Sequence, residues 1–290
     1  MHTRLNLVGT VLCLALAAVA QQTPAKKPDP AVAAPPLPDP VELFRRVHAN
    51  QKQIEELRKN YICDFNEETQ QLAADNSVKK TETKGYEMFF VAGQAIVRMV
   101  SKEGSPLDEG EKRKEEEKVE QRIRKAQEGA AKRERNEEDK NTITIEHFLR
   151  GSRFQNGRYE TFKGRRVLAY DFEPNPDCKP HSRPEVLVSK LGGTVWIDPE
   201  ALEVVRLQAH LLGSFKVAGG LLGSVREGSA LVLEQERVNN ELWMPSYVDF
   251  SLGARVLLVK SVHERIVDRF SNYRKFRVET TIRTLPPPRD

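Results

Sequence analysis

The last hundred residues constrain the fold most. Thr194-Val195-Trp196-Ile197-Asp198 runs into Pro199, and Val204 to Leu212 returns. Ala230 to Val238 ends at Asn239-Asn240, and Leu242 to Leu252 returns; Arg255 to Asp268 and Tyr273 to Arg283 extend the series by two more expected strands. Strands joined by turns this short pair antiparallel, because a parallel crossover needs a dozen residues or more. A period of two also marks Tyr61, Cys63 and Phe65, then Tyr86, Met88 and Phe90, and continues from Gln94 to Val100 after Ala92-Gly93. Arg158 to Phe162 and Arg166 to Phe172 read as a hairpin turning at Lys163-Gly164. The expected class is mainly β (α+β). A meander this long twists as it grows and has edges to protect, so it curls into a half-open β-barrel.

Two helical segments accompany the strands. Asp39 before Pro40 is a capped start, and Leu43, Val47, Ile54 and Leu57 then share one face to about Lys59, with Arg45, Arg46, Lys52, Glu55 and Arg58 elsewhere. This amphipathic stripe needs a sheet to cover, which makes it an N-terminal helical lid. Lys102 to Asn141 interrupts the strands, with 11 basic and 10 acidic residues between Glu111 and Lys140. Val119, Ile123, Ala126 and Ala130 form one thin stripe there, and Glu120 with Arg124 and Glu128 with Lys132 are pairs four apart. The insert therefore reads as a solvated, partly frayed helix. Thr142 to Arg150 reads as a short helix, and Glu173 to Arg183, with three prolines, as an irregular loop.

Ahead of these lie an export signal and a tether. Arg4, an apolar run from Leu5 to Val19 and the small residues Ala18-Val19-Ala20 form a signal peptide with cleavage expected after Ala20. The run is short for a bilayer, so no transmembrane span is expected, and Leu12 ahead of Cys13 is the wrong residue for lipid modification. Seven prolines between Gln21 and Pro40 make an extended linker. The expected organisation is signal 1–20, linker 21–40 and one domain 41–290 carrying the insert, in a periplasmic or secreted protein. Lys and Arg number 46 against 42 Asp and Glu, a net charge of +4 without the concentrated surplus that nucleic acid demands. Cys63 and Cys178 follow the leader, and export permits them to pair. A disulfide and two half-buried thiols are both open.

Val205, Leu207, Ala209 and Leu211 share one strand face and Arg206, Gln208 and His210 the other. Val256 to Val259 is apolar on both faces, and the first helix is the natural cover for one of them. Leu242, Met244, Ser246, Val248, Phe250 and Leu252 present a continuous, mostly apolar row. Rows of this kind under a helical lid enclose either a packed core or an apolar pocket. For a pocket, the candidate lining is Leu43 and Val47 from the helix with Met244, Val248, Phe250 and Leu252 from the strand. Leu221 and Leu222, in the glycine-flanked segment Val217 to Gly223, are candidates for a mobile lip.

The leader, the opening helix, the long antiparallel strands, Gly193-Thr194-Val195-Trp196-Ile197-Asp198 with Glu203-Val204-Val205-Arg206-Leu207, and Leu242-Trp243-Met244-Pro245 carry a resemblance. From about Val41 to Arg283 the chain resembles outer-membrane lipoprotein-sorting proteins of the LolA/LolB type. That resemblance implies a half-open antiparallel barrel with a helical lid over an apolar cavity that carries acyl chains across the periplasm. The proline arm and the charged insert depart from that pattern, and the amino-terminal lipid cysteine of the membrane-anchored member is missing.

No constellation for catalysis stands out. The histidines are scattered, no His-Glu-x-x-His occurs, and Cys178 with His181 is half a metal site without a second pair. Ser214, Ser224 and Ser229 follow glycines outside any Gly-x-Ser-x-Gly, and no phosphate-cradling glycine motif opens a helix. No cofactor, metal or catalytic residue is expected. The expectation is a non-enzymatic carrier for a lipid or lipoprotein acyl chain. The alternative is an envelope interaction or sensor module with a filled core, whose charged insert contacts a partner protein.

Overall fold

The computed structural model describes residues 36–133, 144–217, 223–256 and 260–276. Leu37 opens one compact unit. The leader and most of the proline arm lie outside the described residues, as do Leu221 and Leu222.

Helix α1 spans Pro40–Arg58. Its start is fixed as the sequence suggests: Pro40 occupies the first turn, and the Asp39 carboxylate accepts from the Glu42 amide at 2.9 Å. Strands β1 (Tyr61–Leu72), β2 (Val78–Val91), β3 (Gln94–Lys102) and the two-residue β4 (Ser105–Pro106) then form a meander. Helix α2 (Glu109–Arg133) follows, and α3 (Ile145–Gly151) leads into the hairpin of β5 (Ser152–Phe162) and β6 (Arg165–Pro174). Helix α4 (Arg183–Val188) precedes β7 (Leu191–Asp198), β8 (Glu203–Leu211) and the short β9 (Phe215–Val217) and β10 (Gly223–Val225). Three long strands complete the chain: β11 (Ala230–Val238), β12 (Leu242–Val256) and β13 (Lys260–Lys275). The hairpin turns sit where their residues place them. Ala92-Gly93, Lys163-Gly164 and Asn239-Asn240 all carry positive φ, as tight hairpin turns require.

One antiparallel sheet results, in the order β4-β3-β2-β1-β13-β12-β11-β8-β7-β6-β5, with β10 added beside β12 and β9 beside β10. It is not closed into a barrel: β4 and β5 are its two ends. Among the described residues, only β1 with β13 and β8 with β11 join strands distant in sequence along this path. The sheet nevertheless rolls at one end. The Phe162 ring lies 6.2 Å from Trp243 and the Lys163 ammonium donates to the Ser246 hydroxyl at 2.6 Å, so the β5–β6 turn reaches β12 across the strands between them.

Two sequence expectations change. Arg255 to Asp268 and Tyr273 to Arg283 are not separate strands, because β13 runs unbroken to Lys275. The gap expected at 269–272 holds a bulge: Asn272 has φ 53°, its side-chain amide donates to Asp64, and the register with β1 shifts between Ile62 and Asp64. Helix α1 packs on β8 and the beginning of β12; the expectation that it covers Val256 to Val259 falls on side chains outside the described set. The insert is not merely a solvated helix. In α2, buried Val119 and Ala126 with half-buried Ile123 pack on Phe89, Val91 and Ile96, and Asp108 and Glu111 cap its start reciprocally. The buried Glu115 carboxylate accepts from the Met99 amide and pairs with Arg122 at 3.1 Å, which fastens the helix to β3.

The main core lies between α1, α3 and the sheet face of Leu168, Tyr170, Phe172, Val195, Ile197 and Ala209, with Leu43, Phe44 and Val47 from above. The opposite face carries a smaller core of Val167, Ala169, Trp196, Val205 and Trp243 inside the roll. Around it runs a ladder of charges, including Arg158 with Asp171 and Arg265 with Asp249.

Candidate functional site

An apolar cavity of about 110 Å³ lies beneath the helices. Phe44 of α1 and Ile145 and Phe148 of α3 roof it; Phe154, Phe172, Val195, Val204 and Leu207, from four neighbouring strands, form its floor. Aromatic contacts explain why the space remains. Phe44 meets Phe154 at 4.5 Å and Phe148 stands edge-on to Phe172 at 5.7 Å, so rigid rings prop the helices above the smaller Val195 and Val204. An engineered protein cavity of comparable size, 150 Å³, lined with hydrocarbon stays dry and accepts apolar guests.

Polar contacts hold the roof along its length. At its start the Tyr170 hydroxyl donates to the Pro38 carbonyl at 2.7 Å, and at its middle the Asn50 amide donates to the Ala201 carbonyl at 2.9 Å. At its end the Arg58 guanidinium donates to Glu203 at 3.0 Å and to the Trp243 carbonyl at 2.9 Å. Burial pushes the Glu203 carboxyl above its ordinary range, and the Arg58 charge works against that rise. Beside it, the buried Asp198 carboxylate resists the upward push of burial. It accepts from the Ala201 amide, the Trp243 indole and Arg165, which together hold its pKa below the usual range. Helix α3 is tied to α1 by His48 and Glu146 at 3.5 Å, and the Thr144–His147 capping box fixes its start.

The structure sorts the residues chosen from sequence. Leu43 and Val47 are buried in the core beside Phe44 but do not line the cavity. Met244 is buried with Leu57, Tyr61 and Leu242 beneath the end of α1. Val248 and Phe250 are half-buried on β12, in register with Leu233 and Leu231 of β11 and outside the cavity wall. Leu252 borders a different, polar hollow of about 390 Å³ that Arg226, Ser229 and His263 also line. Leu221 and Leu222 fall outside the described residues.

Sequence reasoning missed the cavity wall itself. Leu207 was visible on an apolar strand face and Val195 only as a strand residue, while Phe148 belongs to a helix of seven residues whose seat depends on tertiary packing. Cys63 and Cys178 are both free. Cys63 is buried on β1, where burial pushes its thiol up to about 11, and Cys178 follows β6; five strands separate β1 from β6 in the sheet. Among the described residues no three His, Cys, Asp or Glu side chains gather as metal ligands, and no helix is long and apolar enough to cross a membrane. No family model matches the chain, and no curated protein matches it.

Proposed function

We propose that this protein is a non-enzymatic carrier that holds an acyl chain of a lipid or lipoprotein between α1, α3 and the sheet. One observation carries the reading: the space under the helices is walled by eight apolar side chains and sits at the rim of a sheet face that stays apolar across further strands. A cavity of about 110 Å³ takes only a short chain segment as it stands. A longer tail extends along that face or lifts α3. Each methylene transferred from water contributes about 0.8 kcal/mol, so ten of them offset the cost of association with a useful surplus. The resemblance to LolA/LolB-type proteins and the export signal expected from the sequence support this role, and with it a periplasmic or secreted location.

The test is saturable uptake of a fluorescent fatty acid by the purified chain and by Val195→Trp, whose indole fills the cavity. Uptake that saturates and is lost in the variant supports the carrier. Absence of uptake by a folded wild-type protein of both the fatty acid and the uncharged fatty alcohol of equal length overturns it, and a partner captured through the α2 surface would then favour the interaction module. Amino-terminal sequencing of the exported protein checks cleavage after Ala20.

A further inference from the structure

Two residues of the cavity wall belong to a cross-strand row of side chains that ends in an unbalanced pair of acids. In cross-strand register, Val195 of β7 faces Leu207 of β8, Leu207 faces Leu233 of β11, and Leu233 faces Val248 of β12. Val248 then faces Asp268 of β13, and Asp268 faces Glu67 of β1. Val195 and Leu207 belong to the cavity wall. The adjacent row, Ala209, Leu231, Phe250 and Ile266, is apolar along the same strands. From Val195 to Asp268 the track crosses four strand intervals, about 19 Å at ~4.8 Å each, comparable with an extended long acyl chain.

At its far end the two carboxyls have no cation of their own. Neither Glu67 nor Asp268 forms an ion pair among the described residues, and Asp268 Oδ1 is buried without a hydrogen-bond partner. The nearest lysine in register, Lys84 of β2, faces Glu67 but pairs with Glu82 at 3.6 Å. The Thr69 hydroxyl donates to Glu67 at 3.5 Å, and the Tyr86 hydroxyl lies against the same carboxylate. Phe65 stacks between Tyr86 and Phe270, at 4.9 and 5.1 Å, and closes the apolar surround. Two like charges held together on a half-buried apolar surface cost free energy that a bound cation would recover.

We infer that this track binds a single-chain amphiphile with an amine head group, its tail lying along Val248, Leu233 and Leu207 toward the cavity and its ammonium seated between Glu67 and Asp268. This rests on the acyl-carrier reading and names the head group that reading leaves open. Charge complementarity selects the occupant: a free fatty acid would bring a third carboxylate to the pair, whereas an ammonium donates three hydrogen bonds to it.

The groups facing the pair are Lys84 and Tyr86 from β2, with Glu115 of α2 acting on Tyr86; its β12 neighbour, Val248, is apolar. Burial, reinforced by the Glu67 charge, pushes Asp268 up to about 6. The head-group preference is therefore full above that pH and fades as Asp268 takes up its proton.

The experiment titrates the full chain with a long-chain primary amine, the alcohol of equal length and the fatty acid of equal length, below their aggregation concentrations. It is repeated with Asp268→Asn and Glu67→Gln. At pH 7.5 the amine should bind about tenfold more tightly than the alcohol, the gain of one charge-assisted contact. The preference should shrink toward unity at pH 5 and in the paired substitution, while alcohol affinity stays unchanged and reports an intact fold. Equal binding of amine and alcohol at pH 7.5, or tightest binding of the fatty acid, overturns the head-group site and leaves the carrier standing. No binding of any of the three overturns both.

Discussion

Helices α1 and α2 both lie on the sheet, yet the first stands off it and the second sits down on it. Helix α1 presents Leu43, Phe44 and Val47 to β6, β7 and β8, and with α3 it leaves an apolar cavity. Helix α2 presents Val119 and Ala126, contacts Phe89, Val91 and Ile96, and is drawn in by Glu115 on the β3 backbone and by Arg122 on the Val97 carbonyl. The strand alternation of β2 sets Phe89 and Val91 opposite Met88 and Tyr86, so the two helices also use opposite sheet faces. Side-chain size decides the difference. Small side chains on α2, Ala126 above all, let that helix approach the sheet closely, whereas aromatic rings on α1, α3 and the strands beneath them hold a gap open. The same architecture thus yields a fastened brace at one side and a roofed cavity at the other.

Substitutions that change volume separate the two regimes most strongly. Leu43→Ala, beside the cavity and fully buried, should cost about 2–5 kcal/mol in urea unfolding, because the lost side chain adds to existing empty space. Under α2 the opposite change is the damaging one: Ala126→Leu should cost about 1–3 kcal/mol, since Ala126 is wholly buried in close contact. A smaller effect comes from Asp268, whose carboxyl sits above its ordinary range because burial and Glu67 disfavour the anion. A carboxyl so raised lends stability below its unfolded-state pKa and loses it as pH rises toward about 6. Asp268→Asn should therefore be close to neutral below about pH 3.9 and stabilising at pH 7.5, by roughly 1–2 kcal/mol after solvent screening. The smallest effect is the most diagnostic: Val195→Ile adds one methylene to the cavity wall and should raise stability by about 0.5–1 kcal/mol while weakening fatty-acid uptake. A net loss of stability from Val195→Ile would mean the roof is packed as tightly as the brace.

Local signals made much of this fold legible. Asp39-Pro40 specified the start of α1, and Ala92-Gly93, Lys163-Gly164 and Asn239-Asn240 specified hairpins, because each rests on backbone chemistry within a few residues. Alternation placed Leu207 and Ala209 on one apolar face without a structure. What remained hidden depends on partners distant in sequence. The seating of α2 was obscured by the charge around its thin stripe, although Val119 and Ala126 suffice once Phe89 and Ile96 receive them. Residues 269–272 looked like a break between strands, and the pairing with β1, with Asn272 bonded to Asp64, makes a bulge of them. The cavity arises where Phe148 on a seven-residue helix meets Phe172, and the Glu67–Asp268 juxtaposition arises from the β1–β13 pairing of the chain's two ends.

The central claim, that the space under α1 and α3 receives an acyl chain, is tested most directly by exporting the full chain in a bacterial host. The protein is purified without detergent, and co-purified lipid is quantified by mass spectrometry against Val195→Trp. The account predicts stoichiometric lipid on the wild-type protein and its loss from the folded variant. A stable wild-type protein that emerges free of lipid and takes up none when offered would contradict it.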